Sequence, residues 1–166
     1  MVDTLLRSFL FNVRLDLTPR PSTDDPTLTT PFTDGGFQEV TGLEIELDVL
    51  EYLEGGRNDG AARCVGRAKY QPLLLKRGMF YGDSGVANRA FWQWLQSIAA
   101  GARPVPRCNG VIQVMRETTA ASEVAAVWTF DRGLPVRVRG PQLNAKTGEI
   151  AIEELHIAHE GLRLSA

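Results

Sequence analysis

Apolar and polar residues alternate from Ser8 to Leu17 (SFLFNVRLDL). Phe9, Phe11, Val13, Leu15 and Leu17 fall on one face, Asn12, Arg14 and Asp16 on the other. That period of two predicts a half-buried strand. The pattern stops at residues 18–36, where four prolines stand among Thr, Asp and Gly; a long exposed loop is expected. Phe37 to Val40 opens a second strand, and Thr41-Gly42 kinks it. Alternation resumes from Glu44 to Val49, with Ile45, Leu47 and Val49 on a core-facing side and Glu44, Glu46 and Asp48 opposite. At Leu50 the parity breaks, so that Leu50 and Tyr52 fall on the acidic side. This predicts a bulge, or a strand passing from one environment into another.

Tyr52 ends that strand, and an arm of residues 53–69 follows. Gly55-Gly56 and Asn58-Asp59-Gly60 are its turn-forming residues. The arm carries Arg57, Arg63, Arg67 and Lys69 and leads through Tyr70 into Leu73-Leu74-Leu75, closed by Lys76-Arg77-Gly78. So long a segment without helical pattern is uncommon in a compact domain and marks a functional or contact surface. One helix is predicted, over about residues 86–100. Asp83 or Ser84 caps it, Ala87, Ala90, Phe91, Trp94, Leu95 and Ile98 form its apolar stripe, and Gly101 and Pro104 end it. Trp92 lies off the stripe, either at the helix edge or against a neighbouring subunit. Strands are expected at Val111–Glu117, Glu123–Phe130 and Pro135–Arg139, the first two joined through TTAAS. Residues 149–164 suit a helix or a long strand by propensity alone.

A chain of 166 residues can bury one real core, and 43% hydrophobic with 23% charged residues is ordinary for a globular domain. A net charge of -2 gives no general attraction to nucleic acid or membrane. The charge is unevenly spread, however. Residues 37–56 hold six acids and no base, and residues 57–77 hold six bases and one acid. Such blocks can pair within one fold or head-to-tail between copies. Fifteen of the eighteen bases are arginine, which suits persistent ion pairs. The N-terminal MVDTLLRSFLFNV reads as strand rather than signal peptide, so synthesis in the cytoplasm without membrane insertion is expected. Cys64 and Cys108 make no disulfide framework.

Catalytic patterns are missing. HIAHE (His156, His159) is neither H-E-x-x-H nor H-x-x-E-H, and on a strand its imidazoles would point to opposite faces. No metal or cofactor is expected. Gly55-Gly56 lacks a following Lys-Ser/Thr and is no phosphate loop, and there is no Gly-x-Ser-x-Gly. An enzyme is not expected.

The segment EYLEGGRNDGAARCVGRAKYQPLLLKRG, residues 51–78, resembles the tail tube proteins of contractile phages and the inner tube proteins of extracellular contractile injection systems. FQEVTGL upstream continues the resemblance. So do Phe91-Trp92-x-Trp94, Trp128-x-Phe130, Gly140-Pro141-x-Leu143-Asn144-Ala145, Ile150–Glu153 and Ala158–Leu162 downstream, so that it spans residues 37–162 in order. Cys64-Val65 departs from the family's usual leucine-proline-like pair.

The resemblance implies a single, mainly β domain. Two packed antiparallel sheets form a small β-barrel or sandwich with one flanking helix, as in the haemolysin-coregulated protein fold, and residues 149–164 form a long strand. It implies a homo-oligomer: six-fold rings stacked into a hollow tube, with sheath and baseplate proteins as partners and DNA or an effector protein as cargo. Gly55, Gly56, Arg57, Asn58, Arg63, Arg67, Lys69 and Tyr70 become candidate subunit or ring contacts, and Glu44, Glu46 and Asp48 candidate channel-lining residues. The chain could be the main tube polymer or a tube-initiating paralogue at the baseplate. A monomeric ligand-binding barrel is the rival from another class.

Overall fold

The computed structural model describes residues 5–18, 33–56, 58–81, 83, 85–117, 122–146 and 148–165. Residues 19–32 of the proline-rich segment, Arg57, Ser84 and most of TTAAS lie outside them, while the end of that segment, expected as loop, forms a short strand, Thr33–Gly35. The chain order is β1 (Phe11–Thr18), β2 (Thr33–Gly35), β3 (Glu39–Thr41), β4 (Ile45–Tyr52), β5 (Ala62–Tyr70), β6 (Leu73–Gly78), α1 (Ala90–Ala99), β7 (Arg107–Glu117), β8 (Ser122–Arg139), β9 (Ile152–Ala158) and β10 (Gly161–Ser165). Among the described residues the fold is mainly β with one helix, and every strand pair is antiparallel.

β8 organises the main body. Its first part pairs with β7 and β10, and its last six residues, Leu134–Arg139, pair with β9 alone. Between them Arg132 takes a positive φ of 54° and turns the strand. Gly133 completes the turn: a Cβ there would stand 2.7 Å from Ile157 and 2.8 Å from the Cys108 sulfur. One strand thereby serves two sheet sections, and the pleated surface folds over a common core. The strand order β2-β1-β7-β8-β9-β6-β3 leaves β2 and β3 as separate ends. The packing is sandwich-like, and the expected barrel does not close. The ambiguous C-terminal segment is strand: β9 and β10 run along β8 in succession, interrupted only at His159-Glu160.

The core follows the alternation. Val13, Leu15 and Leu17 of β1 are buried, as are Leu73 and Leu75 of β6 and Leu155 and Ile157 of β9. α1 covers them with Phe91 and Trp94, both 0% exposed, and the Trp94 indole N–H donates to the Pro106 carbonyl at 2.9 Å. The helix begins at Ala90, later than the apolar spacing predicts. Tyr81 and Ala87 form a bridge that keeps the preceding segment extended, so Ala87 is exposed and outside the stripe. The N-cap position is Arg89, not Asp83 or Ser84, and its side chain makes no capping hydrogen bond; the Ala90 N–H donates instead to Asn88 Oδ1 at 3.0 Å. Trp92 is half-buried over Gly140, where a Cβ would come within 3.3 Å of the ring.

Arg77 and Glu153 are the two buried charged residues of this core, 3% and 1% exposed. Arg77 Nε donates to Glu153 Oε1 at 2.6 Å and Nη2 to Asn88 Oδ1 at 3.2 Å, while the guanidinium stacks 3.7 Å from the Phe91 centroid. Burial lowers the Arg77 pKa, and Glu153 opposes that shift by hydrogen bond and charge. β6, β9 and the start of α1 are tied at this point.

Candidate assembly interface

β4 and β5 pair with each other and, among the described residues, with no other strand. They form a hairpin outside the main body. About half of the long arm read from the sequence is therefore strand: β5 begins at Ala62 and takes up residues 62–69 of it. Gly56, with φ of 90°, sits in the tip. A register shift lies between Leu47 and Val49, where Gly66 and Arg67 of β5 together oppose Asp48; the extra residue is on β5, so β4 keeps its alternation and Leu50 and Tyr52 stay on the face of Glu46 and Asp48. A Cβ on Gly66 would lie 2.8 Å from the Asp48 carbonyl oxygen, so glycine allows the strands to close over this bulge.

The β4 sequence, on an unbroken alternation, gives the hairpin an unusual distribution of side chains. Near the root, Ile45, Leu47 and Val49 share one face with Val65 and Ala68, while Glu46 and Asp48 share the other with Lys69. Near the tip the assignment reverses: Leu50 and Tyr52 lie with Cys64 and Ala62 on the second face, and Glu51 lies opposite Arg63 on the first. The apolar surface thus crosses from one side of the hairpin to the other. None of it is covered: Leu53 is 80% exposed, Val65 77%, and Ile45, Leu47, Val49, Leu50 and Tyr52 are all more than half exposed. Ile45, Leu47 and Val49 were expected to pack the core. They do not, because the hairpin carrying them leaves the sheet. An exposed apolar strand pair of this kind marks an interaction site.

The charged candidates are partly satisfied within the hairpin. Arg63 Nε lies 3.6 Å from Glu51 Oε1, and Lys69 Nζ 2.6 Å from Asp48 Oδ1. The Asp48 hydrogen bond and charge raise the Lys69 pKa. Such solvent-exposed pairs add little to stability. The acidic and basic blocks therefore pair in part within one chain. Gly55, Gly56, Asn58 and Arg67 are exposed, as are Glu44 and Glu46. Tyr70 is half-buried at the root, 5.4 Å from the His159 ring. The residues missed from sequence are Leu50, Tyr52, Leu53 and Val65. The parity break is the one signal that sets Leu50 and Tyr52 apart.

The two histidines are separate. His156 lies on β9 with Nε2 3.9 Å from Glu154 Oε2. The His159 ring nitrogens face the carbonyls of Gly161 and Gln71 at 3.1 and 3.2 Å. Among the described residues no group of three His, Cys, Asp or Glu is placed to hold a metal, and no helix is long and apolar enough to cross a membrane.

The geometry has counterparts among known proteins. A chain in the six-fold symmetrised baseplate of the anti-feeding prophage (AFP) superposes with a TM-score of 0.76, covering 99% of this chain and 97% of that one at 22% identity. A chain in the extended sheath-tube complex of the extracellular contractile injection system PVC gives 0.74 over 99% and 94% at 21% identity. The Hcp protein gives 0.53 over 92% and 90% at 10% identity. These likenesses establish the fold. Comparison with curated protein sequences gives no match. The profile of the T4-like virus tail tube protein gp19 family matches residues 7–163, nearly the whole chain. The chain belongs to the T4-like virus tail tube protein gp19 family, the structural proteins of contractile tail tubes.

Proposed function

We propose that this tail tube protein is the main polymer of an inner tube, built from six-fold rings stacked around a hollow channel, and that its β4–β5 hairpin joins neighbouring subunits. The observation that carries this reading is the exposed apolar surface that changes sides along the hairpin. A surface packing against one neighbour would keep one face. A surface that crosses over suits two neighbours, one covering the root on its first face and one covering the tip on its second. Burial of apolar area in every copy, at about 25 cal/mol per Å², supplies the association energy that the exposed ion pairs do not. Arg67, with Gly55, Gly56, Asn58 and Arg63, then adds polar contacts at the rim. Glu44, with Glu46 and Asp48 of the charged root face, turns toward the channel. A sheath outside, a baseplate at one end and DNA or an effector protein as cargo complete the reading, and no catalysis is assigned to the chain.

The test is assembly. Leu50→Ser with Tyr52→Ser removes apolar area from the tip and touches no core residue. Electron microscopy is expected to show no tubes, and circular dichroism an unchanged fold. Arg63→Glu with Arg67→Glu is expected to shorten or abolish tubes, again with the fold retained. Full-length tubes from both double variants would overturn the role given to the hairpin.

A further inference from the structure

The β4–β5 hairpin meets the main body at its two legs. On the first, Gly42 lies so close to the Pro72 carbonyl that a Cβ would collide with it. On the second, β5 ends at Tyr70, and Gln71-Pro72 leads into β6. His159, in the turn between β9 and β10, is fitted against this second leg. Its ring is half-buried, with the Tyr70 ring centroid at 5.4 Å and that of Phe130 at 5.7 Å. Nε2 stands 3.2 Å from the Gln71 carbonyl oxygen and Nδ1 3.1 Å from that of Gly161. One side chain thus spans from the root of the hairpin to the first residue of β10.

The charged groups around this slot are engaged elsewhere. Glu160, next in the turn, accepts from Arg107 at 3.0 Å and from Arg132 at 2.7 Å. Asp131, beside Phe130 on β8, accepts from Arg163 of β10. Lys69, beside Tyr70 on β5, is paired with Asp48 at 2.6 Å, and His156 of β9 lies toward Glu154. What acts on the His159 ring is burial and the two carbonyls, with the Tyr70 phenol the one titratable group whose ring packs on it among the described residues. A neutral imidazole suits such a slot. An imidazolium loses its hydration there, and the carbonyls offset only part of that loss, so the pKa is lowered. A ring that moved out into water would take up the proton more readily, and moving out lets go of Gln71.

We propose that His159 is a proton-operated latch on the hairpin root: neutral, it holds Tyr70 and Gln71 against the β9–β10 turn, and protonated, it leaves the slot and frees the second leg. The latch is closed above pH 6.5 and opens as pH falls through the lower value of the folded chain. A freed root must be ordered again when a neighbour docks on the hairpin, so mild acid weakens assembly. This last step rests on the role given to the hairpin above; the latch itself belongs to the single chain.

Two measurements test it. In the monomer, NMR of the wild type follows the His159 ring, assigned with the help of His156→Gln. Contacts between the His159 and Tyr70 rings are expected to fade as the imidazole titrates. Hydrogen-exchange protection of residues 62–72 is expected to fall about threefold or more between about pH 7.5 and 5.5, and to hold in His159→Gln, which keeps a neutral donor. Ring contacts that persist through the titration, or an imidazole midpoint at or above 6.5, would overturn the latch whatever the tubes do. In assembly, the lowest concentration that gives tubes by electron microscopy is expected to rise about threefold or more over the same pH range in wild type and in His156→Gln, and to stay level in His159→Gln. A latch that opens in the monomer while wild-type tubes form equally at both pH values would leave the latch standing and overturn the hairpin's part in assembly.

Discussion

At the scale of single residues, the decisive chemistry is buried rather than exposed. Arg77 Nε donates one short hydrogen bond to Glu153 Oε1, and Glu153 Oε2 accepts none among the described residues. Removing one partner from such a pair leaves an uncompensated charge. Arg77→Met is expected to lose about 3–5 kcal/mol of stability, and Arg77→Met with Glu153→Leu to recover most of it. Urea unfolding of the three proteins decides this, since a loss under 1 kcal/mol in the single variant would remove the pair from the core's account. His159 makes a second residue-scale prediction. Burial lowers its pKa below the ordinary 6.5, and the carbonyls of Gly161 and Gln71 only partly oppose this. A depressed folded-state pKa means that the unfolded chain binds the proton more readily. The stability this residue contributes is present above pH 6.5 and is lost as pH falls toward the lower folded value. The urea midpoint of the wild type should therefore fall more steeply between about pH 7.5 and 5 than that of His159→Gln. Equal slopes would show that the imidazole makes no such contribution.

At the scale of elements, α1 and the β4–β5 hairpin contrast. The helix keeps its apolar residues inside. Trp94 is fully buried and its indole N–H is satisfied by Pro106, so Trp94→Ala removes both packing and a hydrogen bond. A cost of about 3–5 kcal/mol is expected from denaturant titration, and a variant as stable as wild type would contradict the packing of this stripe. The hairpin keeps its apolar residues outside, on one face near the root and on the other near the tip. Substitutions there should alter assembly and leave the unfolding midpoint of the monomer almost unchanged. Period alone does not separate the two cases: Ile45, Leu47 and Val49 alternate as faithfully as Val13, Leu15 and Leu17.

At the scale of the whole molecule, the two cysteines report on assembly. Cys64 is exposed on the tip face of the hairpin, while Cys108 is buried, its thiol pKa pushed up by desolvation. A maleimide should add once to the folded monomer and twice to the unfolded chain, by intact mass. In assembled tubes Cys64 should react far more slowly, because the tip face is then covered. Equal labelling rates in monomer and tube would mean that the tip stays in solvent.

The sequence by itself determined the place of most strands and of the helix, the kink at Gly42 and the turn near Gly55-Gly56, because these depend on local period and on backbone freedom; that Glu123–Phe130 and Pro135–Arg139 form one strand, β8, it did not show. Gly42 shows how local the cause is: its φ is 89°, and a Cβ there would lie 2.2 Å from the Pro72 carbonyl oxygen. The family was legible as well, since its motifs follow one another along the chain. Tertiary structure decided what local patterns cannot carry. Alternation says that two faces differ, but only the departure of β4 and β5 from the main sheet shows that Ile45, Leu47 and Val49 meet solvent. Strand propensity locates Pro135–Arg139, but only pairing along β9 leaves its other side open and sets Arg139 in a row with Glu154, Lys76 and Glu39. Helical spacing extends to Ala87, but the bridge to Tyr81 holds that residue out of the helix. In each case the deciding contact joins residues distant in the chain or on another strand, and local sequence does not encode which partner a face will find.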